Sequence, residues 1–270
     1  MATMGQRRPL AAVTGASSGI GYELAAQFAK HGYDLVICAE DAGINTAAKD
    51  LERAGARVLA EQRDLRRPED VDAFYAAIQS FGTPLEAIAL NAGVGVLGDF
   101  ARETDLRDEL AMIQLNIVSV VHLAKHVARD MVARGGGKIL ITSSVAGIMP
   151  TPQNAVYGAT KAFDLSFAAA LRHELRDTGV SVTALLPGPT DTQFFDREGA
   201  TDTKGAEAAE KNDPADVARQ GFEALMAGKD RVFGATSLAT KFQGMISRFM
   251  PESIKAAQYD AMGQHGTRTK

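Results

Sequence analysis

Tyr157 and Lys161 stand four residues apart in a segment rich in Ala, Leu and Phe. That composition favours helix, so both side chains leave one face about a turn apart. A free phenol has a pKa near ~10, and a neighbouring ammonium favours the phenolate and lowers that value, which makes the hydroxyl a usable proton donor or acceptor nearer neutral pH. Ser144, just beyond an apolar run, offers a second hydroxyl able to hold a carbonyl oxygen. A Tyr-x-x-x-Lys pair also arises as a lysine snorkelling beside a half-buried tyrosine, so its meaning depends on what the rest of the chain supplies.

The elements that must position these residues alternate between strand and helix. Leu10 to Val13 is a short apolar strand that ends in Thr14-Gly15-Ala16-Ser17-Ser18-Gly19-Ile20-Gly21, and the periodicity from Tyr22 to Lys30 predicts a helix that Gly32 stops. Glycines let the turn come close to a ligand, while the first amides of the helix point at a pyrophosphate. Asp34 to Ala39 reads as a second strand, followed by Glu40 and Asp41 where a ribose would lie. A helix over Ala42 to Ala54, a strand over Arg57 to Gln62 leading to Asp64, and a helix over Pro68 to Phe81 follow. Glu86 to Leu90 is the fourth strand, and it runs into the small residues Asn91-Ala92-Gly93-Val94-Gly95, suited to a close backbone approach.

Leu106 to Arg134 reads as one or two helices, with Asn116 on an otherwise apolar face, where a buried amide ordinarily serves structure. Strands over Lys138 to Thr142 and Val180 to Leu186 flank a helix from Asn154 to Thr178. The second of these strands ends in Pro187-Gly188-Pro189-Thr190-Asp191-Thr192. Asp213-Pro214 opens a helix that ends at Gly228, and Arg231 to Phe233 is a last short strand. Every glycine-rich or polar motif follows a strand, which describes an α/β protein with a doubly wound parallel sheet whose loops gather at its carboxyl edge, the place where such sheets bind ligands.

The 270 residues contain no Pro/Ser-rich linker, and 46% hydrophobic with 23% charged residues is an ordinary globular balance, so one domain is expected over 1–270. Residues 193–212 are polar and small and read as a mobile substrate loop; residues 237–262 read as a C-terminal amphipathic extension, first a cap over the domain or subunit contact, next a cover over an apolar substrate pocket, and last a membrane-surface helix. A net charge of -4 gives no general reason to bind nucleic acid. No apolar run reaches the ~18 residues of a membrane span, and Met1 to Arg8 is polar. Cys38 is the single cysteine, which fits a cytoplasmic setting, and the five histidines are scattered without zinc-site spacing, so no metal site is readable.

In their order and spacing these motifs resemble those of the short-chain dehydrogenase/reductases: Thr14 to Gly21, Asn91-Ala92-Gly93, Asn116, Ser144, the Tyr157 to Lys161 pair, and Pro187-Gly188 with Thr192. The resemblance implies a single Rossmann domain of seven strands and a nicotinamide dinucleotide as hydride carrier. Carried over by position, Tyr157 is the general acid or base, Lys161 lowers its pKa and bonds the nicotinamide ribose, Ser144 holds the substrate oxygen, and Asn116 anchors a water that links Lys161 to solvent. Cofactor contacts fall to Gly15, Ser17, Ser18, Gly19, Ile20, Gly21 and Glu40; to Asp64 and Leu65 at the adenine; to Asn91, Ala92 and Gly93; and to Pro187, Gly188, Thr190 and Thr192 at the carboxamide end. The implied reaction interconverts a small-molecule alcohol and ketone, with Phe194, Phe195 and Met149 suggesting an apolar substrate, and the alternative is a non-catalytic redox sensor. Relatives pair through the helix carrying Tyr157 and the one before it, which implies a homodimer or homotetramer.

Coenzyme choice departs from both common patterns of that family. Ala39 holds the position of the aspartate usual in NAD-preferring relatives, and Glu40 that of the arginine usual in NADP-preferring ones. A carboxylate beside the ribose repels a 2'-phosphate and accepts bonds from both ribose hydroxyls, so NAD is expected over NADP.

Overall fold

The computed structural model describes residues 8–191 and 212–234. Strands β1 (Leu10–Thr14) and β2 (Asp34–Ala39) are mostly Ala, Val, Ile and Leu, with every residue buried. Strands of that composition need cover on both faces, which parallel sheets obtain from crossover helices. With β3 (Val58–Gln62), β4 (Leu85–Leu90), β5 (Gly137–Thr142), β6 (Val180–Pro187) and β7 (Arg231–Gly234) they form one sheet in the order β3-β2-β1-β4-β5-β6-β7, every neighbouring pair parallel. It is the seven-stranded doubly wound Rossmann sheet expected from the motifs.

Helices α1 (Gly19–Lys30), α2 (Gly43–Arg53) and α7 (Pro214–Met226) cover one face, where Leu24, Phe28, Ile44, Leu51, Val217 and Phe222 pack with the inward residues of β1 and β2. The other face is covered by α3 (Pro68–Ser80), α5 (Ser119–Arg134) and α6 (Ala155–Glu174), through Val71, Phe74, Ile78, Leu123, Val127, Met131 and Ala168. Strand order reverses between β1 and β4, so the loops leaving their carboxyl ends diverge and open a crevice there.

Leu106 to Arg134 is one continuous helical run rather than two helices. Between α4 (Leu106–Ile113) and α5 lies a π-helical turn, Gln114–Val118, with Asn116 fully buried in it. By length and composition this run could cross a membrane, against the expectation of no such stretch, but Met112, Leu123, Val127 and Met131 are buried in the protein, as in a core helix. Two bounds move in ways that matter. Helix α1 begins at Gly19 instead of Tyr22, because the last glycines of the motif belong to its first turn; α6 ends at Glu174 instead of Thr178, and Gly179 at φ 77 turns the chain into β6. Thr192, all of the 193–212 loop except Asn212, Phe194, Phe195 and the 237–262 extension lie outside the described residues.

Candidate active site

Three loops at the carboxyl ends of β1, β4 and β5 are stapled together by short polar side chains. The Thr14 hydroxyl accepts from the backbone amides of Asn91 (2.9 Å) and Ala92 (3.0 Å), the Asn91 amide donates back to the Thr14 carbonyl (3.2 Å), and the Thr142 hydroxyl donates to Asn91 Oδ1 (3.1 Å). The glycines fit this closeness. A Cβ on Gly15 would lie 2.9 Å from Ala92 Cα, and one on Gly21 would lie 2.0 Å from the Gly15 carbonyl oxygen and 2.6 Å from the Asn91 side chain. Ser18 sits at the N-cap of α1 without a side-chain capping bond, and no acidic residue stands in the first turn, so Gly19, Ile20 and Gly21 present the positive end of the helix dipole to an anion from outside. Ser17 instead donates to Asp41 Oδ2 (2.8 Å), tying the β1 loop to the β2 loop.

Asn116 reaches the same loop from the π-turn. Its Oδ1 accepts from the Val94 amide (3.0 Å), and its Nδ2 donates to the Val94 carbonyl (2.9 Å) and to Thr160 Oγ1 (3.0 Å) on α6. The side chain is therefore committed to holding α6 and the β4 loop at a fixed distance. A π-turn inserts one residue into the helical ladder, which aims Asn116 inward and marks many functional sites. Asn116 Oδ1 and Lys161 Nζ come within 3.2 and 3.3 Å of the position a Cβ on Gly93 would occupy, so a larger residue there would push these side chains aside by a few tenths of an ångström.

On α6, Tyr157, Thr160, Lys161 and Asp164 form the buried face, while Ala155, Ala159, Ala162 and Phe163 are exposed. Tyr157 is buried against Met112 and Ala146 with Val94 and Val96 beside it, an apolar wall around its ring. Lys161 Nζ donates to the Thr142 carbonyl (3.0 Å) and to Asp164 Oδ2 (3.1 Å). Ser143 and Ser144 divide their tasks. The Ser143 hydroxyl donates to the Lys161 carbonyl (2.7 Å), and Ser144 Oγ accepts from the Ala146 amide (3.1 Å), capping the short turn Val145–Ile148 and leaving its own proton to donate. Gly147 in that turn packs on α6 so closely that a Cβ would lie 2.6 Å from the Lys161 carbonyl oxygen.

Asp164 is the residue that sequence reasoning missed. Its side chain has no exposure, its Oδ1 has no hydrogen-bond partner among the described residues, and burial pushes its carboxyl above the ordinary value against the pull of Lys161. The signal was present: three residues after Lys161 on a helix lies on the same face, and an acid amid Phe163, Leu165 and Phe167 is out of place unless it has a partner.

At the far end of the crevice Glu40 is not alone. Arg66 places Nη2 2.6 Å from Glu40 Oε2 and Nε 2.7 Å from Asp64 Oδ1. Burial pushes the Asp64 carboxyl up, but the hydrogen bonds from Arg66 outweigh it and hold it below the usual carboxylate range. Leu65 between them is buried. Beyond β6, the turn over Pro187, Gly188 and Thr190 is fastened by Asn212, whose side chain donates to the Pro189 carbonyl (2.6 Å) and whose backbone bridges Thr190 and Asp191. Thr190 is buried and donates to the Gly188 carbonyl (2.8 Å). Met149, expected at the substrate, lines a groove with Thr151 and Pro152 against Ala155, Ala159 and Ala162, the side of α6 turned away from Tyr157.

A doubly wound sheet with a glycine turn at its point of reversal and a buried Tyr/Lys pair beside it defines a Rossmann-type oxidoreductase of the dinucleotide-dependent class. The family model for short chain dehydrogenase matches residues 9–203, and the chain belongs to the short-chain dehydrogenase/reductase family. The 1-deoxy-11-beta-hydroxypentalenate dehydrogenase of Streptomyces exfoliatus is 35% identical over 227 residues, 83% of this chain and 81% of that protein. Among solved structures, a short-chain dehydrogenase from Sphingobium yanoikuyae in complex with NADPH superposes with a TM-score of 0.79 at 28% identity, covering 97% of this chain and 98% of that one. The bulky-bulky ketone specific alcohol dehydrogenase from Comamonas testosteroni gives 0.76 at 25% identity, covering 98% of each chain. The 3-ketoacyl-(acyl-carrier-protein) reductase from Brucella melitensis complexed with NADH gives 0.72 at 27%, covering 85% of this chain and 98% of that one. The first of these structures holds NADPH and the last NADH, which supports a nicotinamide dinucleotide, NAD or NADP, as the coenzyme.

Proposed function

We propose that this oxidoreductase interconverts a bulky, apolar secondary alcohol and its ketone, with Tyr157 as the general acid/base. The observation that carries the reading is the buried face of α6, which sets Tyr157 and Lys161 under the β4 loop, with Asn116 tying that loop to Thr160 and Ser144 one loop away. The Gly15 to Gly21 turn, Asn91 to Gly93 and the Pro187 to Thr190 turn would hold a nicotinamide dinucleotide, which would supply or accept the hydride. The rest is done by side chains. Ser144 donates its hydroxyl proton to the substrate oxygen and fixes the carbon beside it, and Tyr157 delivers a proton to that oxygen in reduction or removes it in oxidation. Lys161, positively charged on the same face, favours the phenolate and so eases both transfers. The apolar wall of Met112, Ala146 and Val94 keeps water from competing for that proton.

The names of the hydroxypentalenate dehydrogenase and of the bulky-ketone alcohol dehydrogenase support the substrate class, and a panel of bulky alcohols and ketones with either coenzyme tests it. Turnover of at least one member is the expected result; tight coenzyme binding without turnover of any would make the chain a redox sensor. NAD preference belongs to the same proposal. Two carboxylates, Glu40 and Asp64, face one guanidinium, Arg66, so the adenine end keeps an excess negative charge that opposes a 2'-phosphate. The exposed small residues of α6, with Phe163 stacked on Phe167, support a homodimer or homotetramer closed over this face, and the buried Cys38 is compatible with a cytoplasmic setting.

A further inference from the structure

Where α3 lies against α5, outside the crevice, three ligand-type side chains converge that the sequence keeps far apart. His122 and His126 stand one turn apart on α5 and both aim Nε2 at the same oxygen of Asp72 on α3, at 2.9 and 3.2 Å. The donor atoms of the three residues all lie within 4.8 Å of one another. The imidazoles are about one third exposed or less, and the ring of His126 is held flat against Tyr75 at 4.6 Å between centroids. Tyr75 is in turn fixed by donating to Asp130 Oδ2 (2.5 Å), which also accepts from Gln79 (2.6 Å). The cluster is thus organised before anything binds.

Hydrogen bonding alone is an incomplete use of this arrangement, since one exposed carboxylate oxygen collects two imidazoles. Zinc binds imidazole nitrogen at about 2.0–2.1 Å and carboxylate oxygen at about 2.0–2.2 Å, so tetrahedral ligand atoms sit roughly 3.3 Å apart. The observed 2.9 and 3.2 Å separations reach that spacing by opening a few tenths of an ångström, and the two imidazole nitrogens lie within 4.8 Å of each other. Two imidazoles and a carboxylate form a borderline nitrogen and oxygen set that suits Zn²⁺ and its transition-metal neighbours over Mg²⁺ or Ca²⁺, which prefer oxygen alone.

We propose that Asp72, His122 and His126 bind a zinc-class divalent cation, with water in the fourth position, that ties α3 to α5. Both tied helices continue from the dinucleotide crevice: α3 follows the Asp64 to Arg66 turn, and α5 follows the turn that holds Asn116. The ion braces the two from outside and takes no part in the proton transfer. Neither the coenzyme nor the substrate assignment is needed for this site to exist.

The test is calorimetric titration of the tag-free full-length protein, stripped with a chelator, with zinc chloride. One ion per chain with a micromolar or tighter Kd is expected, together with a zinc-dependent rise in Tm. His122→Ala and His126→Ala each weaken binding at least tenfold, whereas His31→Ala and His173→Ala leave it unchanged. Retained NADH binding by the first two variants shows that they fold, and the visible spectrum of the Co²⁺-loaded wild type reports four-coordinate nitrogen and oxygen ligation independently. No binding at submillimolar zinc, or binding that survives both His122→Ala and His126→Ala, overturns the site.

Discussion

The crevice has an ion pair at each end, and the two differ in burial far more than in length. At the catalytic end Lys161 and Asp164 meet at 3.1 Å with side chains 5% and 0% exposed; at the adenine end Arg66 meets Glu40 and Asp64 at 2.6 and 2.7 Å with all three between 32% and 42% exposed. Water screens the second cluster, so its contacts contribute about 0–1 kcal/mol and its side chains remain able to rearrange around a ligand. The first is shielded, and removing one partner leaves the other buried without its counter-charge. A buried pair therefore fixes a geometry, and an exposed cluster sets a preference. Lys161 is held on one side by the Thr142 carbonyl and on the other by Asp164, so the ammonium has one place to stand beneath the β4 loop.

Breaking the buried pair from its catalytic side gives the largest effect. Lys161→Met is expected to lower turnover by about 10²- to 10⁴-fold and to weaken coenzyme binding, read from steady-state kinetics and fluorescence titration. The same variant has a pH signature. Asp164 already has a raised carboxyl pKa, and losing Lys161 removes the influence that lowers it. The folded variant then holds a proton that the unfolded chain gives up above about pH 4, so its stability falls as pH rises from there toward neutral, more steeply than the wild type's. Denaturant melts at a series of pH values check the slope, and parallel curves would show that Asp164 does not depend on Lys161.

Asp164→Ala comes next. It strands the Lys161 ammonium and is expected to cost about 3–5 kcal/mol of stability by denaturant melt. At the exposed end the readout changes from stability to choice. Glu40→Arg is expected to shift the ratio of kcat/KM values from NAD toward NADP by tenfold or more, on the order of 1.4 kcal/mol, with little change in Tm. A wild-type enzyme that already favours NADP would show that the charge excess of Glu40 and Asp64 does not govern the ribose. Smallest is Arg66→Ala, expected to change stability by about 1 kcal/mol or less, with the difference shrinking in high salt.

The same contrast explains what the sequence made legible. The loops at the reversal of strand order were readable because Gly15 and Gly21 are required by close backbone packing and lie within a few residues of the strand that aims them. Sheet and helix order followed from apolar runs and glycine stops, which are local signals. Partners brought from another element were not legible: Arg66 between Glu40 and Asp64, Asn212 closing the Pro187 to Thr190 turn, and Asp72 beneath the histidines of α5. The wide turn at Asn116 was hidden for a different reason. One inserted residue leaves apolar spacing nearly unchanged, so Leu106 to Arg134 looks alike with or without it. Met149 lines a groove along the Ala155, Ala159 and Ala162 side of α6, which its nearness to Tyr157 in sequence did not indicate.

The central claim is that the Tyr157 hydroxyl, held on the buried face of α6 with Lys161, moves the proton. Its most direct test is Tyr157→Phe, which deletes one oxygen and little surface, assayed side by side for coenzyme affinity and for turnover of the best substrate found. The account predicts dinucleotide binding within a few-fold of wild type and kcat lower by about 10²-fold or more. Near-wild-type turnover by Tyr157→Phe would contradict it.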